Sequence, residues 1–265
     1  MDTYHKQFTP FVKTVITLII TLTTLAILLY YLNGPDAQAA PSTIITVTTI
    51  NDDLTNNGNC TLREAVQAAN TDTAVDNCPA GNGADTIVLG AGCLFSLSGA
   101  NEDNNATGDL DITEALTITG QGIAQTLVNA AQLDRILDIQ FGTTAVVISG
   151  VTLYNGDVNS GNGGAINNSW SADLTLINTS ILQNLSDLFS SAGGGIYHYG
   201  AQLTLIDSFI LGNTSDGYGG GIYAHDCNVV ITHTLIGENT ANGDLGLYGG
   251  GGLYLRNANA TLSGV

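Results

Sequence analysis

The segments LTLINTSILQN (174–184) and LTLIDSFILGN (203–213) decide the fold. Aligned without gaps, they place apolar residues opposite one another at Leu174 and Leu203, Leu176 and Leu205, and Ile181 and Ile210, and both close on asparagine. VVISGVTLYNG (146–156) and VVITHTLIGEN (229–239) fit the same 11-residue frame, so the four end positions lie 28, 29 and 26 residues apart. A second motif punctuates the chain as GGAI (163–166), GGGI (193–196), GGGI (219–222) and GGGL (250–253), at spacings of 30, 26 and 31. Each round reads as a Gly-rich turn, a short strand, a second strand and a third strand ending at Asn.

Runs this short, rich in Ile, Leu, Val and Thr and bounded by Asn, Gly and Ser, suit strands and are too short for helices. One such repeat cannot bury an apolar face alone, so each must stack on the next, strand over strand at about 4.8 Å. The expected fold is all-β, a parallel β-helix of the pectate-lyase-like solenoid type, right-handed by the usual rule for parallel crossovers. Leucine-rich repeats lack support, because their L-x-x-L-x-L-x-x-N pattern and helical segment are missing.

Stacking assigns roles to single residues. Asn184, Asn213 and Asn239 are expected to form a structural ladder at one corner, their amides bonding along the stack. The glycine runs supply positive φ and close approach at another. Tyr197, Tyr223 and Tyr254 each follow an inward apolar residue, which predicts an outward aromatic row. They are the candidate glycan contacts, with a self-stacked structural ladder as the competing reading.

The open end of such a stack needs a cover. TLREAVQAAN (61–70) predicts a short helix with a capping box between Thr61 and Glu64, its Leu62, Ala65, Val66 and Ala69 on one face and Asn70 able to end it. Of the four cysteines, Cys60 and Cys78 flank this helix 18 positions apart and are the expected disulfide, whereas Cys93 and Cys227 are expected to be free. A zinc site lacks a CxxC pair or a nearby His. At the far end, ATLSGV (260–265) aligns with the start of the 11-residue unit, so the chain is expected to stop mid-coil.

Residues 1–39 differ from the rest. Lys6 and Lys13 precede the uncharged stretch Thr14–Leu32, followed by Asn-Gly-Pro and Ala37-Gln38-Ala39. This predicts export, through a cleaved signal peptide or an uncleaved membrane anchor. The expected organisation is therefore 1–39 signal or anchor, 40–100 capping region, and 101–265 β-helix repeats. Net charge is −18, from 23 acids against 5 bases, which excludes an electrostatic nucleic-acid binder, while 44% hydrophobic content excludes a disordered acidic tail.

CTLREAVQAAN (60–70), DNCPAGNGADTIVL (76–89) and ATGDLDITEALTITGQG (106–122) together resemble the CSLREA-domain proteins, exported bacterial proteins in which this segment caps a right-handed parallel β-helix. The resemblance spans about residues 44–156, with Thr61 in place of the family's Ser. GAGCLFSL (90–97) departs from the family's Gly-Thr-Tyr type of turn and leaves Cys93 without a role by analogy. The later alternation of GGAI or GGGI with xxxN resembles the polymorphic outer membrane protein repeats of bacterial adhesins, with Ile181, Ile210 and Ile236 where that family has the Phe of FxxN. These resemblances imply surface location and adhesion.

Catalysis is not expected. After residues 1–39 the only bases are Arg63, Arg135 and Arg256, which leaves lyase chemistry without a lysine, and an acidic body repels polyuronates. Asp207, Asp216 and Asp226 sit at non-equivalent places in the repeat, as do His198, His225 and His233, so neither set predicts paired carboxylates across a cleft or a metal site. One metal candidate stands out. Asp103, Asn105, Thr107, Asp109, Asp111 and Glu114 lie in a segment spaced like an EF-hand calcium loop, with Gly108 at its sixth position. Its flanks alternate as strands, so the two helices of an EF-hand are missing. No other cofactor is expected. The reading is a secreted or surface-anchored adhesin-like or structural module. It contacts a surface polysaccharide or a neighbouring cell, and touches the membrane only through an uncleaved N-terminal segment. The alternative is a polysaccharide lyase or glycoside hydrolase of the same fold.

Overall fold

The computed structural model describes residues 42–101, 104–159, 161–188, 191–243 and 249–265. The export segment and Asp103 lie outside them. All paired strands run parallel, in four sheets. The eight-stranded sheet runs from Ile44–Thr46 to Asn259–Ser263, and two six-stranded sheets run from Leu110–Ile112 to Leu253–Arg256 and from Cys93–Ser96 to Leu235–Gly237. The chain is a parallel β-solenoid of about six turns.

The repeat alignment is also the hydrogen-bonding register. Leu174 pairs with Leu203, Ile181 with Ile210, and Ile196 with Ile222, which in turn pairs with Leu253. Along these strands alternate side chains point inward, because successive Cβ atoms project to opposite faces. The inward residues form one core cluster that extends from Ile45 to Ile231.

Each regular coil carries a fourth strand that the repeat pattern did not suggest. Asp157–Val158, Leu185–Ser186, Thr214–Ser215 and Thr240–Ala241 pair in a sheet of their own immediately after the asparagine corner. Two residues are too few to display a period-2 pattern, so only the stacking of neighbouring coils exposes them. The third strands accordingly stop before the asparagines, at Leu182, Leu211 and Gly237.

Glycine is required where coils turn. Gly193 has φ 70, and a Cβ on Gly194 would lie 2.2 Å from the Thr214 carbonyl oxygen. The corner therefore needs both left-handed backbone and the missing side chain.

The helix spans Leu62–Thr71, with Thr61 as N-cap. Thr61 Oγ1 accepts from the Glu64 N–H at 3.0 Å, and the Thr61 N–H donates to Glu64 Oε2 at 2.9 Å. Leu62, Ala65, Val66 and Ala69 are buried in the common core. Termination falls at Asp72 (φ 49), two residues beyond Asn70. Asn70 is instead taken up by the neighbouring coil: its Nδ2 donates to the Asp111 carbonyl at 2.6 Å, and its Oδ1 accepts from the Thr113 N–H at 2.9 Å. Cys60 and Cys78 form a disulfide, while Cys93 and Cys227 are free thiols.

Candidate functional site

One outward column of the six-stranded sheet that starts at Leu110–Ile112 gathers most of the chemistry. In register order it reads Asp111, Asp138, Asn167, Tyr197, Tyr223, Tyr254. Asn167 Nδ2 donates to Asp138 Oδ1 at 2.7 Å, so the polar half is linked from coil to coil. In the aromatic half the rings of Tyr197 and Tyr223 stack with centroids 5.2 Å apart and 5° between planes, and Tyr223 and Tyr254 stack at 5.4 Å and 6°. Tyr218 leans on both later rings.

This geometry is that of the self-stacked ladder. The rings cover one another's faces, and Tyr223 keeps only 5% of its surface exposed. A sugar stacks on a ring face, and here the faces are mostly spent on neighbouring rings. Burial, then the adjacent Tyr223, pushes the Tyr197 hydroxyl above its ordinary pKa.

At the other end of the column lies a buried carboxylate cluster. Ligand oxygens of Asp109, Asp111 and Asp138 lie within 4.8 Å of one another. Arg135 Nε approaches Asp109 Oδ2 at 3.0 Å, and its Nη1 lies 3.4 Å from Asp138 Oδ1. Gln140 Nε2 donates to Asp111 Oδ1 and Asp138 Oδ2, each at 2.8 Å. Asp109 is pushed up to about 8, mainly by burial and further by Asp111, Asp134 and Asp138, against the opposing pull of Arg135.

The residues of the EF-hand-like segment do not converge as one loop. Asp109 and Asp111 join the cluster, which draws its third carboxylate, Asp138, from the next coil. Thr107 Oγ1 donates to the Ser98 carbonyl at 2.7 Å. Glu114 is raised by burial and by Asp72 and Asp85, which are its carboxylate neighbours. The cause is strand geometry: Leu110–Ile112 and Leu116–Thr119 belong to different sheets, so the loop spacing cannot wrap around a point.

Asn184, Asn213 and Asn239 stack at their corner. Asn184 Nδ2 donates to Asn213 Oδ1 and Asn213 Nδ2 to Asn239 Oδ1, both at 2.9 Å, while the same oxygens accept the backbone N–H groups of Asn184 and Asn213. Their amide capacity is directed inward, to the backbone, which suits structure and leaves little for a ligand.

Among the enzymatic candidates, Asp207 and Asp226 sit at turns beside His233 (3.4 Å) and His225 (3.2 Å) respectively. Asp216 accepts from Asn242 at another corner. His198 is wholly buried; Asn168 Nδ2 lies 3.1 Å from its Nδ1, and burial drives its pKa down to about 4, against weaker opposing contributions from the Ala201 and Gly200 backbone and Asp173.

Sequence reasoning missed three groups. Arg63, taken only as a basic residue of the helix, is 1% exposed and pairs with Asp52 at 2.7 Å. Thr179, Ser208 and Thr234 form a second buried polar ladder, at the sixth position of the 11-residue unit, where their alignment was a readable signal. Trp170, 51% exposed, meets Phe141 edge-on at 5.7 Å and carries no repeat signature at all.

Residues 207–225 match the Chlamydia polymorphic membrane protein (Chlamydia_PMP) repeat. The matched stretch runs from the left-handed corner at Asp207 through Asn213 and the GGGI turn to the strand Ile222–His225. No curated protein matches the chain. Among the described residues, no helix is long and apolar enough to cross a membrane.

Proposed function

We propose that this protein is an exported, adhesin-like surface module whose solenoid presents side-chain rows for contact and performs no chemistry. The match of residues 207–225 to a polymorphic membrane protein repeat carries this reading, since that segment lies within one turn of the stack and holds its asparagine and GGGI corners. The proposal includes a right-handed coil, export through Thr14–Leu32, and closure of the first coil by the helix Leu62–Thr71 in the manner of CSLREA-domain proteins. A chain this poor in lysine and this acidic supports contact with neutral surfaces better than with polyuronates. Because the tyrosine faces are mutually covered, the row offers a glycan ring edges and hydroxyls, and therefore hydrogen bonding in place of stacking.

The test is retention against release. Beads coated with the protein are incubated with neutral and acidic polysaccharides and with cultured cells. The expected outcome is retention of cells or glycan with no new reducing or unsaturated ends. Turnover of any glycan overturns the reading in favour of a lyase or hydrolase of the same fold, and absence of retention on every surface removes adhesion.

A further inference from the structure

A buried side-chain oxygen normally finds a hydrogen-bond donor, and one that does not calls for an explanation. Two such oxygens lie at the junction between the helix and the Leu110–Ile112 strand: Asn105 Oδ1 and Asp109 Oδ1. Asn105 is 1% exposed and Asp109 3%. Asn105 is fixed in place from both ends. Its Nδ2 donates to the Arg63 carbonyl at 3.0 Å, and its backbone N–H donates to Asp111 Oδ2 at 2.7 Å. Both orphan oxygens therefore belong to, or adjoin, the Asp109, Asp111 and Asp138 cluster.

The charge balance and spacing are those of a hard cation's site. Five carboxylates, those of Asp52, Asp109, Asp111, Asp134 and Asp138, surround two guanidinium groups, Arg63 and Arg135. Arg63 is committed to Asp52 and to the carbonyls of Gly108 and Asp109. Arg135 alone faces the three clustered carboxylates, which leaves a local excess of negative charge. Calcium takes oxygen ligands at about 2.3–2.6 Å, so ligands on opposite sides of one ion stand about 5 Å apart. The 4.8 Å span of the three carboxylate oxygens fits that figure. Oxygen donors alone, without sulfur or imidazole, select calcium or magnesium over zinc. A cavity of about 260 Å³ lined by Asn105 and Asp111 together with Gln67, Asn70 and Thr113 adjoins this cluster on its Asp111 side, with no basic side chain in its wall.

We propose that Asp109, Asp111 and Asp138, with the Asn105 amide oxygen, form a calcium site that ties the helix to the first two coils. Asp111 and Asp138 accept hydrogen bonds from Gln140, Asn167 and Asn105, which fix the orientation of their carboxylates. The metal then reinforces the start of the helix, where Asn105 Nδ2 holds the Arg63 carbonyl and where the Cys60–Cys78 disulfide also lies.

Calorimetric titration of the full chain, freed of metal by chelation, reads the site directly. One calcium is expected to bind per chain, with a rise of several degrees in melting temperature. Asp111→Asn and Asp138→Asn are expected to abolish binding. Glu114→Gln is expected to bind as wild type does, because Glu114 lies with Asp72 and Asp85 and outside the cluster. The proposal is overturned by folded wild-type protein that takes up no calcium, by unchanged binding in both Asp variants, or by loss of binding in Glu114→Gln. If the Asp variants fail to fold by circular dichroism, the wild-type and Glu114→Gln titrations decide.

Discussion

The fifth position of the 11-residue unit is held by Gly150, Asn178, Asp207 and His233 in successive coils, with φ of 64, 46, 49 and 48. Four unlike residues share one left-handed backbone state, which Gly, Asn, Asp and His tolerate best. Asp207 and His233 therefore owe their places to a corner, and their exposed 3.4 Å contact adds little. Replacing Asp207 by Val is expected to destabilise the protein by about 1–2 kcal/mol in urea denaturation, since a β-branched side chain resists this conformation, while Asp207→Gly stays near wild type. The tenth position is left-handed too, with Asn155, Gln183, Gly212 and Glu238 at φ 56, 53, 65 and 57, so there the corner imposes the conformation on Gln and Glu as well. His198 answers to a different force. Its pKa falls to about 4 in the fold against an ordinary 6.5, so the unfolded chain takes up the proton first as pH drops. The stability tied to the neutral ring is complete above about pH 6.5, is lost as pH falls toward 4, and changes no further below that. Over this window the loss is about 3 kcal/mol. Asn occupies the equivalent place at Asn168, so His198→Asn is the natural comparison. The gap between wild-type and variant denaturation free energies is expected to shift by that amount between pH 7 and 4.

At the scale of elements, the helix was the most legible piece. Thr61 and Glu64 announce its start, and the spacing of Leu62, Ala65, Val66 and Ala69 announces its buried face. What the spacing did not disclose is that Arg63, on the same helix, is buried too. Its partners, Asp52, Gly108 and Asp109, come from distant stretches of chain that only the fold brings near. The two features differ in energetic weight. Thr61→Ala removes half of a capping box and is expected to cost about 1 kcal/mol. Arg63→Leu leaves the Asp52 carboxylate without its counter-charge, held by Ser98, and strands two carbonyls, and is expected to cost about 3 kcal/mol. Chemical denaturation followed by Trp170 fluorescence, the chain's single tryptophan, separates these outcomes. Strands were legible in proportion to their length: those of the 11-residue unit declared themselves by alternation, and the two-residue strands such as Leu185–Ser186 did not.

For the whole molecule, repetition carries the information. Residues that recur every 26–31 positions must superpose if each coil is to bury its apolar face against the next, so the parallel stack, its register and its asparagine corner follow from sequence alone. The same logic located the tyrosine column but not its exposure, because whether a ring shows its face or its edge depends on how neighbouring coils pack. Residues outside the Gly-Asn frame were harder to place. Asp111 and Asp138 sit in identical LDI strands at 110–112 and 137–139, a repeat readable in the sequence but outside that frame, and Asn105 meets them through an irregular connection. The EF-hand-like spacing includes Asp109 and Asp111 of the carboxylate cluster and omits Asp138, which reaches it from the next coil, because a linear motif assumes a loop where the chain forms strands of separate sheets. Periodic burial is a local property, written into every repeat. The carboxylate cluster arises where one helix, one irregular segment and two coils meet, and that meeting exists only in the folded molecule.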